Sequence, residues 1–341
     1  MIGIRGLAQH LGISIGTVSR ALNGKADVNP QTRRRVLEAA AELGYSPNQS
    51  GRSLRHGTTN LVGVVIPTTR QKNLIDPTFA EALDGVRQEL VGTGLDLAIF
   101  LCADDADAFA HLRRIAERRL ADALLIADTL PTDRRIDYLI DKAIPFVAFG
   151  RSRSGGPHQW VDIDFAGAAK QSVARLAGQG HRRIGLVLTS QDANFTRLMR
   201  EAHRRECKAR GLDAQNELVQ RIGHGTDAGY LGARALMALP DRPTAVLVQN
   251  EEVAVGVYRC FGELRLRPGR DVAVIALEDG GRATFMSPTL SAYQVDLGIV
   301  GAQLGRALLA ALGRGPDDQK PIQALVTMTP HPGDSDGWES R

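Results

Sequence analysis

The sequence predicts an α/β fold: a small three-helix head, then a core built as two doubly wound parallel-sheet halves. Two patterns carry this. After residue 60, short apolar runs alternate with amphipathic helical stretches, whereas the first 47 residues read as three short helices closed by glycines. Runs that are apolar throughout, not at every second residue, belong to strands buried on both faces, as in a parallel sheet covered by helices.

The head comes first. Residues 4–11, IRGLAQHL, set Leu7, Ala8 and Leu11 at helical spacing, and Gly12 stops the helix. In ISIGTVSRALNG, residues 13–24, Ser14 is a natural N-cap, Val18 and Leu22 recur four apart, and Asn23-Gly24 ends the run. The third helix follows in NPQTRRRVLEAAAELGYSP, residues 29–47, where Asn29 caps, Pro30 suits the first turn, Val36, Ala40 and Leu43 form the buried stripe, and Gly44 closes it.

Two short helices across a glycine turn make a helix-turn-helix candidate. A bare packing unit is the alternative, but Ile15, Gly16, Ser19 and Arg20 fall outside the predicted core stripe, where a recognition helix needs them. Arg20 suits a bidentate guanine contact and Ile15 a thymine methyl, while Gly16 offers no side-chain bond. Ser14, Thr17 and Ser19 are short hydroxyls suited to phosphates. Charge agrees: residues 1–60 hold eight lysines and arginines against three acids, +5 of a chain total of +4, so the other 281 residues sum to −1. A basic segment on a near-neutral body is the pattern of a nucleic-acid-binding module.

In the body, LVGVVIP (61–67), LDLAIFL (95–101), ALLIA (123–127), FVAFG (146–150), IGLVLT (184–189), AVLVQ (245–249) and VAVIAL (272–277) read as strands. Residues 78–94 and 166–180 exemplify the helices between them. A repeat of about 30 residues gives two halves that change over near Trp160 to Phe165. Facing halves leave a cleft at the carboxyl ends of their strands, where such sheets bind ligands. No strand leads into a phosphate loop or a nucleophile elbow, and the eight histidines lack metal-ligand spacing, so no cofactor and no enzyme chemistry is implied. Cys102, Cys207 and Cys260 lie far apart in apolar or helical stretches, as buried thiols do. No apolar run approaches the roughly 20 residues of a membrane span, and the first residues lack a secretory layout, so a cytoplasmic location is expected.

Residues 4–57, with TVSR, LNG, ELGY-P-N and RSLR in order, resemble the DNA-binding module of the lactose-repressor (LacI/GalR) family, and a looser similarity continues to about residue 330. The resemblance implies a helix-turn-helix domain over 1–47, a hinge helix or linker over 48–58, and a periplasmic-binding-protein-like effector and dimerisation core over 59–341. It implies a first subdomain of about 59–160 and 292–320 and a second of about 161–291 and 321–331. To the DNA contacts named above it adds Asn23, Tyr45, Asn48, Gln49, Ser50, Arg52 and Leu54, the leucine matching the one that wedges into the central base step. Gly51 stands where the family has alanine, which weakens a hinge helix by about 1 kcal/mol per subunit.

For the effector, the resemblance implies Phe79, Arg151, Phe195, Arg197, His224, Asn250 and Glu278. Each also has a structural reading: Phe79 as core, Arg197 paired with Glu201 one turn on, His224 as an ordinary loop residue. Gly150 replaces an aspartate usual in the family just before Arg151, removing one hydroxyl acceptor. Arginine, asparagine and glutamate with aromatics suit a sugar or glycoside. The expected protein is therefore a homodimeric regulator, most simply a repressor, on a pseudo-palindromic operator. The alternative is a solute-binding protein of a sugar transporter, against which the basic head argues. The tail after His331 shows no heptads, so a dimer and no coiled-coil tetramer is expected.

Overall fold

The computed structural model describes residues 3–22, 24–25, 27–45, 58–68, 77–103, 108–315 and 320–337. Two compact units result, Met1–Thr59 and Asn60–Arg341.

The first contains α1 (Ile4–Leu11), α2 (Ile15–Leu22) and α3 (Pro30–Glu42). Gly12 ends α1 at φ 64°, the left-handed cap that glycine adopts without strain. Ser14 Oγ accepts from the Thr17 amide at 3.0 Å, and Asn29 Oδ1 from that of Gln31 at 2.8 Å, so both expected caps are made. Leu7, Ala8, Val18, Ala21, Val36, Ala39 and Ala40 are the buried set. Small alanines at the crossings draw the helices together and leave Leu22 and Leu43, expected inside, half-buried at the rim.

The second unit runs β1 (Leu61–Thr68), α4 (Pro77–Glu89), β2 (Asp96–Ala103), α5 (Ala108–Glu117), β3 (Ala123–Ile126), α6 (Arg134–Asp141), β4 (Phe146–Phe149) and β5 (Gln159–Ile163). It continues with α7 (Phe165–Gly178), β6 (Ile184–Leu188), α8 (Asn194–Ala209), β7 (Val219–Arg221), α9 (Gly225–Met237), β8 (Ala245–Val248), α10 (Glu251–Glu263), β9 (Ala273–Ala276) and β10 (Ser291–Gln294). Then come α11 (Leu297–Ala311), β11 (Gln323–Val326) and β12 (Thr329–His331). One sheet has the order β11-β5-β4-β3-β1-β2, the other β12-β10-β9-β8-β6-β7. All pairings are parallel except β12 with β10. In each half the strand order reverses between its first and third strands, the position at which doubly wound sheets bind ligands.

Strand pairing moves the expected subdomain limits. Residues 161–163 and 323–326 pair in the first sheet, Trp160 opposite Gln323, while Ser291 to Gln294 stay in the second. The cause is α11: Gly85 of α4 and Gly301 of α11 meet so closely that neither has room for a Cβ, which seats α11 on the first half and carries β11 after it. The chain thus crosses between halves at 164, 295–296 and 327–328. Two crossings are fixed by aspartates: Asp164 caps α7 through the Gly167 amide and Asp296 caps α11 through that of Ile299, both at 2.9 Å. One apolar cluster, from Val62 to Met328, runs through both halves. The polar tail is anchored: Asp336 is buried, taking Arg175 Nε at 2.5 Å and Ser291 Oγ at 2.7 Å. Among the described residues no helix is long and apolar enough to cross a membrane.

Candidate functional site

In the head, packing sorts α2 into two faces. Val18 and Ala21 are buried, while Ser14, Ile15, Gly16 and Arg20 are exposed and Thr17 and Ser19 half-exposed. Arg20 is 54% exposed and its Nε lies 3.6 Å from Asp27, a loose pair that leaves the guanidinium available. Ile15 keeps 44% of its surface in water although it is aliphatic. Ser14 and Thr17 hydroxyls bond each other at 2.9 Å, so they serve the helix start as well as any phosphate. Tyr45 packs partly against the head core, its amide donating to Ala40 O at 2.8 Å. Asn23, Asn48, Gln49, Ser50, Arg52 and Leu54 lie outside the described residues.

In the core, the two halves meet through buried polar contacts at their strand ends. Asn194, at the start of α8, donates its amide hydrogen to Thr129 O at 2.7 Å and its Nδ2 to Arg151 O at 2.7 Å, and its Oδ1 accepts from Arg197 Nε at 2.9 Å. Thr129 Oγ1 donates to the same Arg151 carbonyl at 2.9 Å. Asn194 therefore links the backbone carbonyl of Arg151 in one half to the guanidinium of Arg197 in the other. The loop after β4 also explains Gly150: at φ 113° a Cβ there would stand 2.5 Å from Thr129 Oγ1, so an aspartate does not fit.

The other expected residues have partners of their own. Arg151 Nε donates to Asp162 at 2.6 Å, and burial pushes the Asp162 carboxyl above its usual range although that bond opposes the shift. Phe79 stacks on Phe149 at 6.2 Å and Phe195 leans on Phe165 at 5.4 Å. Arg197 Nη1 reaches both oxygens of Glu201 at 2.7 Å, the pairing that the four-residue spacing offered. His224, exposed, begins α9 with Nε2 3.2 Å from Ser190 Oγ. Asn250 caps α10, its Oδ1 accepting from the Val253 amide at 3.1 Å, which leaves its amide nitrogen as donor. Glu278 is half-buried at the end of β9, and its neighbour Asp279 organises that loop, accepting from Gly281, Arg282 and Ala283 amides and from Gln294.

A cavity of about 260 Å³ opens between the halves, bounded by residues 130–132 after β3 and by Thr196, Arg197, Arg200 and Arg221 of the second half. Only Arg197 of the seven expected residues lies in its wall. Asn194, Thr196, Arg200 and Arg221 were not anticipated, although NFTRLMR at a strand-to-helix turn carries three of them.

Residues 4–48 match the family described as bacterial regulatory proteins, lacI family, and residues 173–335 the periplasmic binding protein-like domain. The HTH-type transcriptional regulator AglR of Rhizobium meliloti is 35% identical over 280 residues, 82% of this chain and 78% of AglR. RafR of Escherichia coli, also an HTH-type transcriptional regulator, is 32% identical over 82% of each chain. Among solved structures, that of a transcriptional regulator CelR–cellobiose complex has a TM-score of 0.71 at 25% identity, covering 98% of this chain and all of that one. The lac repressor dimer bound to operator has a TM-score of 0.83 at 20% identity over 98% and 99% of the two chains, a likeness of fold. The chain belongs to the lacI family of bacterial regulatory proteins.

Proposed function

We propose that this transcription regulator acts as a repressor: it binds a pseudo-palindromic operator as a homodimer, and a sugar or glycoside held between the core halves sets its operator affinity. The observation that carries this is the division of α2, whose core face is filled by Val18 and Ala21 while Ile15, Gly16 and Arg20 face water at its start and outer side. In the major groove those side chains reach base edges, and Ser14, Thr17, Ser19 and Tyr45 serve the phosphates. Hinge contacts fall to Asn48, Gln49, Ser50, Arg52 and Leu54.

Sugar recognition is supported by the relatives, since CelR was solved with cellobiose and another relative is the ribose operon repressor of Escherichia coli. Phe79, Arg151, Phe195, Arg197, His224, Asn250 and Glu278 are the proposed effector contacts. For the homodimer, Leu231 on α9, Val255 on α10 and Phe285, which is 84% exposed, offer apolar surface on neighbouring elements. Arg282 approaches Glu251 and Tyr258 bonds Pro288 O, tying the Phe285 loop to α10. A ligand that changes how the halves sit alters the spacing of two hinges, and so the support each head receives on DNA.

The test is a gel shift on DNA upstream of the protein's own gene, with and without a panel of mono- and disaccharides. A sequence-dependent shift that one sugar alters is expected. No sequence-dependent shift rules out the regulator reading, and a shift that no sugar alters, with no heat in calorimetry, rules out the sugar.

A further inference from the structure

In the first half, the loops that follow β3 and β4 are stitched into one unit. Thr129 Oγ1 donates to Arg151 O at 2.9 Å, the Asp133 amide to Ser154 Oγ at 2.6 Å, and the Arg153 amide to Pro131 O at 3.0 Å. Buried Asp133 accepts from the Leu130 amide and from Arg135, whose guanidinium also donates to Asp128 O at 3.0 Å. Two backbone kinks aim this unit at the second half. Asp128 at φ 50° and Gly150 at φ 113° each precede a residue whose carbonyl accepts from Asn194, namely Thr129 and Arg151. A left-handed aspartate is uncommon and persists where its surroundings fix it, as the Arg135 bond does here; such positions gather at clamps and switches.

Asn194 meets both carbonyls, each at 2.7 Å, and is 3% exposed. As the first residue of α8 it carries a backbone N–H that the helix cannot use, and that N–H goes to Thr129 O. Its side-chain nitrogen donates to Arg151 O while its side-chain oxygen accepts from Arg197 Nε. An amide fills both roles; a carboxylate only accepts and an alanine does neither. The chain crossings at 164, 295–296 and 327–328 already join the halves covalently. Asn194 is remote from all three in sequence, so its bonds restrict how far the halves swing about them.

We propose that Asn194 is a latch that holds the core halves in this arrangement before any effector binds. The contact stands by itself. Its regulatory meaning rests on the function proposed above: an effector between the halves acts by keeping or breaking two bonds, and so by setting the spacing of the hinges.

Residue-resolved hydrogen exchange on the effector-free full chain tests it. Among the described residues the Asn194 amide has its partner in the other half, so its protection reads the latched fraction. Protection is expected in the wild type. Asn194→Ala removes both side-chain roles, and Asn194→Asp keeps an acceptor for Arg197 but sets a carboxylate against the Arg151 carbonyl. Both are expected to speed exchange at residue 194 about fivefold or more, the worth of one hydrogen bond, with the amides of β3 and β8 unchanged. An unprotected Asn194 amide in the wild type overturns the proposal, as do variants that exchange like the wild type. An equal rise across β3, β8 and residue 194 overturns it too, because that is loss of fold and not release of a latch. Should neither variant fold, Thr129→Val removes the stitch to Arg151 O without touching α8; the same local rise is expected, and none overturns the latch. Operator affinity without effector, read by anisotropy, is expected to change in step with exchange across the variants. Faster exchange at constant operator affinity keeps the latch and overturns its link to regulation.

Discussion

The head and the cleft hold their functional side chains in opposite ways. In α2, the residues suited to base edges are exposed and nearly uncommitted, with Arg20 only loosely paired to Asp27. In the cleft, Arg151, Arg197 and Asn250 are already bonded to Asp162, Glu201 and the Val253 amide. A recognition surface of the first kind is prebuilt and works by docking. In the second, a ligand that reached these groups would compete with bonds each already makes within its own half, while the bonds from Asn194 to the Thr129 and Arg151 carbonyls join the halves.

The largest expected effect separates the two units. Leu7→Ala removes a fully buried side chain at about 2–5 kcal/mol, comparable with the roughly 3–5 kcal/mol that a core of this size supplies. Operator binding should vanish while the core melts as before; calorimetric scans that show both units melting together would break the comparison. Next comes pH. Burial pushes His203, in the second half, from 6.5 down to about 4, the bond of its Nε2 to Ile184 O opposing only part of that shift. Its neutral form is favoured by the fold, so stability is full above pH 6.5 and falls by about 3 kcal/mol as pH drops from 6.5 to 4. Denaturant titrations at the two pH values should show that loss in the transition of the core.

Arg20→Ala should weaken operator binding by about 1–3 kcal/mol, with the head's melting temperature unchanged because the Asp27 pair is loose and exposed; anisotropy titrations read the first and circular dichroism the second. Gly51→Ala should tighten operator binding by at most about 1 kcal/mol per subunit and blunt the effector response. Smallest is Glu201→Gln, expected to lower core stability by about 0.3–0.5 kcal/mol while raising effector affinity by freeing Arg197. A fall in affinity would mean that Glu201 itself holds the ligand.

Legibility follows burial and sequence distance. Strands such as β3 (ALLI) and β8 (AVLV) are buried at every residue and read as strands at once. β7 and β11 lie at or beside sheet edges with partly exposed residues, and β10 (SAYQ) is buried through a serine bonded to Asp336, so none has an apolar signature. That is why the expected subdomain limits slipped around residues 292–326. The Arg197–Glu201 pair was readable because both lie on one helix face. The approach of Asn194 to the Arg151 carbonyl, 43 residues away, depends on how the halves dock, and the exclusion of aspartate at Gly150 depends on Thr129 across the strand ends.

The most direct measurement is a footprint of the full chain on the DNA upstream of its own gene, beside Arg20→Ala. A recognition helix ready in each of two subunits predicts protection over two half-sites related by a dyad, lost at equal concentration in the variant. Sequence-independent protection, or a footprint that Arg20→Ala leaves unchanged, would contradict it.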